Sequence, residues 1–494
     1  MALSKAMSSV MTLLIERLYS QMIYLRRNTL AIVVTCVGLA HSIFAAEPTV
    51  EELQAQIQQL QIQLQEAQAQ LAQKQLAASA KPDAPLDEAA ILEDETGNPE
   101  QVQKSMEDAQ EKVFYVFDPD DFKIGPVTVG GAIRANYIYG DYVGTDGPSR
   151  GSDGGNFELD TFRINLDLDY KNWLIGKLEY RWYDGYSFMH TCWIGYRFED
   201  GSEIQAGINR IPFGPGPYGI SNSWFFDQHY YVGLSDNMDT GVKYTTEVGN
   251  WSLDAGIYAC GEGSWLGPDG PNDAYSDSAR YSYDPVKAAY GRGYQKDGQL
   301  NLRGIYHTQY LGLEADLGSS AMVGHLNGTG GYDDGSMYAV SGFAVHRLGN
   351  WTLQTQLSYY NYSIDKNGLG DNELIPMGAY AYEEGVATEG LIPAVSLSYF
   401  YEVDQLEWLD SITPYIEYSN IIKFGHDDST GQAFKNSALS TVGAAWAAGR
   451  WYIYTETAFS NGNYFVGGDP FTNFGANLNA TWEYRININF GYYF

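Results

Sequence analysis

The chain has 494 residues, 18% of them charged, with 54 Gly and 40 Tyr against 3 Cys. Its net charge of -32 excludes a nucleic-acid partner, which needs a basic footprint. Mean hydropathy is slightly polar at -0.30, and no mature segment approaches the roughly 20 apolar residues of a spanning helix, so a membrane crossing here needs strands.

Residues 1–46 read as a Sec-type signal peptide. Arg26 and Arg27 precede an apolar run over 30–39, which ends on the small residues Ala45 and Ala46. The charged region before it is long, and Met22 is an alternative start. Residues 47–76 read as a coiled coil. Val50, Leu53, Ile57, Leu60, Leu64, Ala67 and Leu71 alternate spacings of three and four, an a/d seam with Gln, Ala and Glu between. An isolated helix of this length is marginal, so the seam implies partner chains. Leu53, Ile57, Leu60, Leu64 and Leu71 would carry trimerisation on a periplasmic rod of roughly 40 Å. The alternative is one amphipathic helix lying on another surface. Residues 77–122, rich in Ala, Pro, Asp, Glu and Gln, read as a linker.

From 123 to 494 the pattern has period two. Strands are expected at 126–142, 157–170, 173–184, 188–199, 202–211, 240–249, 250–260 and 302–317. The rest are expected at 321–329, 337–348, 350–363, 389–403, 411–423, 437–448, 450–461 and 475–494. Short connections (171–172, 199–201, 249–250, 318–320, 349–350, 404–410, 449–450) alternate with long ones (143–156, 212–239, 261–301, 364–388, 424–436, 462–474). Short turns opposite long loops are the mark of outer-membrane barrels. The fold class is therefore all-β: a 16-stranded antiparallel transmembrane β-barrel preceded by a periplasmic α-helical coiled coil. In the last strand Trp482, Tyr484, Ile486, Ile488, Phe490, Tyr492 and Phe494 alternate with polar residues or Gly. Ending on Phe494, it resembles the terminal signal of bacterial outer-membrane barrels.

Alternation assigns faces. Arg163, Asn165, Asp167 and Asp169 face the lumen from the second strand, and Lys177, Glu179 and Arg181 from the third. Arg134, Arg197 and Lys243 face in from strands one, four and six. Glu314, Asp316, Glu417, Glu456 and Glu483 come from later strands, with Gln354, Gln356, Ser396 and Ser398 between them. One wall is thus relatively basic and the far wall relatively acidic. Such a lining either filters solutes by charge or consists of mutual salt bridges in a solvated wall.

The loop 212–239 is long and aromatic, with Trp224, Phe225, Phe226, Tyr230 and Tyr231. That composition argues against disorder and for a constriction loop, where Asp227, Asp236 and Asp239 would set the charge and Arg210 sits at the root. The alternative is an outer loop packed on a neighbouring subunit. Cys36 lies in the signal run. Cys192 and Cys260, on strands four and seven, are expected to be isolated thiols, a disulfide being the alternative. His190 and Cys192 at i, i+2 should share a strand face and find no third ligand. No GxSxG or HExxH occurs, so no enzyme, cofactor or metal site is expected.

The stretch LDTFRINLDLDYKNWLIGKLEY from Leu159, followed by WIGYRF, IQAGINRIPFG and the long loop ending MDTGVKY, resembles the phosphate-selective porin O and P family. The resemblance implies a sixteen-stranded trimeric diffusion channel with a constricting third loop. The family's phosphate specificity rests on lysine clusters and an arginine ladder. Here loop 212–239 has no Lys, and Arg134, Arg163, Arg181, Arg197, Arg210 and Lys243 are the candidates for a basic track. The added coiled coil is similar in architecture to certain sugar and dicarboxylate porins. The expectation is a homotrimeric porin in the Gram-negative outer membrane, in contact with lipid and lipopolysaccharide and passing small hydrophilic solutes or ions. A different reading is a tether, with the barrel as anchor and the coiled coil binding peptidoglycan or a periplasmic protein.

Overall fold

The computed structural model describes residues 116–117, 122–142, 156–183, 186–263, 280–287, 291–310, 312–380, 382–467, 474–478 and 481–494. The expected signal peptide, coiled coil and most of the linker lie outside them. Sixteen strands form the barrel: β1 (Val127–Gly140), β2 (Asn156–Tyr170), β3 (Leu174–Trp182), β4 (Ser187–Arg197), β5 (Glu203–Arg210), β6 (Met238–Val248), β7 (Trp251–Gly261) and β8 (Gly293–Tyr310). They continue as β9 (Leu313–Thr329), β10 (Asp333–Leu348), β11 (Trp351–Asp365), β12 (Glu389–Tyr399), β13 (Ser411–Lys423), β14 (Ser437–Ala448), β15 (Trp451–Ser460) and β16 (Glu483–Tyr493). Each pairs antiparallel with the next, and β16 closes on β1 through Asn489↔Asn136 and Gly491↔Arg134. Phe494 extends the closure, exchanging backbone hydrogen bonds with Gly131. A Cβ on Gly131 would stand 2.6 Å from the Phe494 ring, so only glycine lets the terminal aromatic lie there.

The alternation has a direct physical readout. Ile133, Phe157, Ile194, Ile257, Val323, Val340, Ile416 and Val442 are exposed outward, while Asn136, Asn301, Ser320, Ser358, Ser396, Asn487 and Asn489 are buried inward. An apolar exterior around a polar interior suits lipid outside. Trp173, Trp251, Trp351 and Trp451 each follow a short turn and are exposed. They form a belt of amphipathic rings at one rim, where a membrane interface favours them. Left-handed φ at Lys171, Asn172, Gly249, Gly349 and Gly449 closes those turns tightly.

The structure corrects one turn. The expected connection 318–320 lies inside β9, and the chain reverses at Gly312 (φ 76°) instead. The phase of the apolar residues shows why: Leu302 and Tyr306 are even, Leu313 and Leu317 odd. β8 also begins at Gly293, earlier than expected, because its first half is polar and carries a bulge between Lys296 and Gln299. Closing strand β16 starts at Glu483, later than the expected 475. Glu314 and Asp316 consequently belong to β9, where Glu314 pairs with Arg347 and Asp316 with Val345. Cys192 and Cys260 are free thiols.

Candidate pore constriction

The wall from β1 to β8 is built of charge pairs. Arg134 Nε lies 3.0 Å from Asp160, and Arg163 and Arg181 both approach Glu179 Oε1, at 3.5 and 2.5 Å. Arg210 Nε is 2.7 Å from Asp236, and Arg303, which alternation did not single out, is 2.7 Å from Asp254. Nearer the turns, Lys177 meets Asp167, and Arg197 meets Asp169 and Glu203. Lys243 Nζ instead donates to the backbone oxygen of Arg210 at 3.1 Å. Away from the turns the cation is the wetter partner of each of these pairs, whereas Asp167 and Asp169 are wetter than Lys177 and Arg197. Arg210 is 30% exposed against 0% for Asp236, and Arg303 20% against 4% for Asp254. The lumen therefore meets guanidinium faces, with the carboxylates behind them.

Two bulges supply partners that strict alternation hides. Asp160 is skipped between the pairs Arg134↔Thr161 and Ala135↔Leu159, and turns inward onto Arg134. Phe157 and Leu159 are odd apolar residues and Phe162 and Ile164 even ones, a phase change that marks the bulge in the sequence. His190 is skipped in the same way between Thr191 and Met189. Its ring lies against Tyr281, whereas Cys192 pairs with the lipid-side residue Leu178. The two do not share a face, contrary to the i, i+2 expectation.

Loop 211–237 crosses the lumen and is pinned to the opposite wall. Gly214 N donates to Ser320 Oγ on β9, and Gln354 Nε2 on β11 donates to Ile220 O. Glu417 on β13 accepts from Ser221 Oγ (2.8 Å), Asn222 N (2.5 Å) and Asn222 Nδ2 (3.1 Å). Glu456 on β15 accepts from Trp224 N at 3.0 Å and Tyr415 Oη at 2.5 Å. Gln228 N then donates to Ser419 Oγ, and His229 Nε2 lies 2.8 Å from Ser358 Oγ. A buried donor left without its acceptor costs roughly 1–3 kcal/mol, so Glu417 and Glu456 hold the loop in place.

Asp227, Asp236 and Asp239 are all buried and engaged, but Asp239, expected in the loop, belongs to β6, where it pairs with Asn209. Asp227 Oδ1 accepts from His229 N, and its Oδ2 from Ile220 N. Asp236 takes Arg210 and the Tyr281 hydroxyl, and Asp239 takes Lys296 at 2.9 Å. The loop's aromatics pack as a core with Tyr281, Tyr283, Tyr380, Tyr464 and Phe474 from other connections. Burial pushes the phenols of Tyr230, Tyr281 and Tyr380 well up, so they stay neutral donors. Arg485 from β16 is buried among Tyr142, Trp224 and Phe225, with ring centroids 4.2, 4.9 and 5.3 Å away. Its Nη2 donates to Asn487 and its Nη1 to Phe465 O.

One constellation has no local motif. Ser252 Oγ is 2.7 Å from His307 Nε2, and His307 Nδ1 is 2.7 Å from Asp316 Oδ1, across β7, β8 and β9. Those spacings match a nucleophile, base and orienting carboxylate. Acyl transfer also needs donors for the oxyanion. Ser252 is paired on both sides, with Ile305 and with Glu247, so the neighbouring strand N–H groups are engaged and a carboxylate stands across from it. Arg347 holds the outer oxygen of Asp316 at 2.7 Å. The row is lumen lining joined by hydrogen bonds. Among the described residues no cluster of His, Cys, Asp and Glu could hold a metal ion.

No family model matches the sequence, and no curated protein matches it. Solved structures similar to the barrel include the outer membrane channel DcaP of Acinetobacter baumannii, at 11% identity and TM-score 0.46, covering 77% of this chain and 99% of that one. OmpF of Salmonella typhi in complex with daunomycin is similar at 13% identity and TM-score 0.44, covering 77% and 99%. OprB of Pseudomonas putida is similar at 9% identity and TM-score 0.45, covering 74% and 94%. Likeness of this degree carries no functional conclusion.

Proposed function

We propose that the chain is an outer-membrane porin, a passive diffusion channel for small hydrophilic solutes. The observation that carries this is the closed sixteen-strand barrel, apolar outside and polar inside, with loop 211–237 hydrogen-bonded across its lumen. Such a loop narrows a wide barrel without closing the cylinder. In this reading residues 1–46 are removed on export, and 47–76 join three barrels as a periplasmic coiled coil.

Small anions are favoured at the constriction. The overall charge of -32 argues the other way. The local arrangement outweighs it, because the exposed sides of Arg134, Arg163, Arg210 and Arg303 face the lumen while their carboxylates lie behind them. Lys243 adds a cation beside Arg210. Reversal potentials in a salt gradient, repeated with phosphate and dicarboxylates, test this. Cation preference in the full-length protein would contradict the anion reading and leave the channel reading standing.

A further inference from the structure

We propose that the constriction holds a subsite for planar aromatic monocarboxylates. It is built from two guanidinium–phenol pairs, Arg210 with Tyr218 and Arg163 with Tyr493, and is backed by Phe226. This rests on the porin reading above and narrows its small-anion preference to one class of solute.

The accessible face of loop 211–237 is aromatic. Its carboxylates Asp227 and Asp236 are buried, as are Phe213, Phe225, Tyr230 and Tyr231. Tyr218 is 47% exposed, and Trp224 and Phe226 are half-buried. Ser221 Oγ, Asn222 N and Trp224 N are directed at Glu417 and Glu456, so rings are what this stretch turns toward a passing solute. Those rings are firmly held. Phe226 stacks on buried Tyr230 with centroids 4.4 Å apart and planes at 19°, and Tyr218 leans on Phe226 at 6.2 Å. Phe226 takes φ 59°, a left-handed backbone that a bulky side chain adopts only where its surroundings impose it.

At the exposed end of that stack a cation joins a ring. Arg210 Cζ lies 5.4 Å over the Tyr218 ring, and Arg163 Cζ on β2 lies 5.2 Å over Tyr493 from β16. Tyr452 on β15 is within electrostatic reach of both Tyr218 and Tyr493, so the two pairs border one passage. Each guanidinium has its own carboxylate, Asp236 or Glu179, yet stays 30% or 19% exposed. A planar fork beside a π face complements an anion whose carboxylate sits on an aromatic ring. The fork takes both carboxylate oxygens, and the ring packs edge-on or offset against the phenol. Phosphate gains only the first of these contacts. A saturated ring of equal charge loses the quadrupole part of the second.

The test uses the full-length protein in planar bilayers, with benzoate added to potassium chloride. Benzoate should block the chloride current at a concentration at least about tenfold below that needed with cyclohexanecarboxylate or phosphate. Cyclohexanecarboxylate has the same charge and nearly the same size, so the comparison isolates the aromatic face. Tyr218→Leu should bring the two organic acids to within about twofold of each other. Arg210→Lys keeps the charge and loses the planar fork, and should weaken benzoate block at least about threefold. Heat-shifted gel migration reports whether each variant barrel is folded. Equal block by benzoate and cyclohexanecarboxylate, or phosphate blocking as well as benzoate, overturns the subsite. So does a folded Tyr218→Leu channel that keeps the full preference for benzoate. A folded wild-type protein that passes no current overturns the porin reading, and the subsite with it.

Discussion

The two walls of the lumen handle charge in opposite ways. Between β1 and β8 the cations are neutralised by carboxylates on their own wall, as with Arg163 and Arg181 around Glu179. Between β11 and β15 the carboxylates Glu417 and Glu456 instead take backbone and side-chain donors from the crossing loop. A lumen charge can therefore serve as a field or as a fastening. Its hydrogen-bond partners decide which, and its sign alone does not.

The fastening side should give the largest response. Glu417→Ala leaves the Ser221 and Asn222 donors without their acceptor, at roughly 1–3 kcal/mol for each donor left buried and unpaired. Loop 211–237 should then become cleavable by added protease and the single-channel conductance should rise; a protected loop would remove Glu417 from its anchoring role. On the field side, Glu179→Ala strips Arg163 and Arg181 of their shared partner, a loss on the order of 3–5 kcal/mol. The denaturation midpoint should fall and the reversal potential should move toward anions. If both stay in place, the cluster is inert lining.

Arg210→Ala should be milder, because Asp236 keeps the Tyr281 hydroxyl. Selectivity should move toward cations with a smaller fall in the denaturation midpoint than Glu179→Ala gives, and Lys243→Ala should move selectivity the same way. The smallest effect concerns Glu262, just past the end of β7. Burial lifts the Glu262 carboxyl to about 8, with Asp284 adding to the rise and Ser282 N and Arg280 opposing it. A carboxyl held above its unfolded value favours the protonated folded form. Its contribution is complete below about pH 4.5 and is lost as pH rises through about 8. The denaturation midpoint should thus fall between about pH 5 and 8, and Glu262→Gln should flatten that dependence.

Much of this architecture is legible in the sequence, for a stated physical reason. A strand between lipid and water must alternate, so β13 and β14 match their expected limits residue for residue. The signal fails where the phase slips. Asp160 and His190 sit in bulges, and the polar start of β8 hides its pairs from Gly293 to Lys296 from any apolar count. The phase change between Leu159 and Phe162 was there to be read. The packing of segment 280–286 against loop 211–237 was not, because the two come from separate connections with no periodicity of their own. The role of Glu417 depends on a loop nearly 200 residues away in the chain, a separation of 195 for the Asn222 contact.

Single-channel recording on the full-length protein and on Glu417→Ala tests the central claim most directly. The account predicts discrete ohmic steps in both, larger in the variant, whose crossing loop has lost its anchor. A folded barrel that carries no ionic current would contradict it.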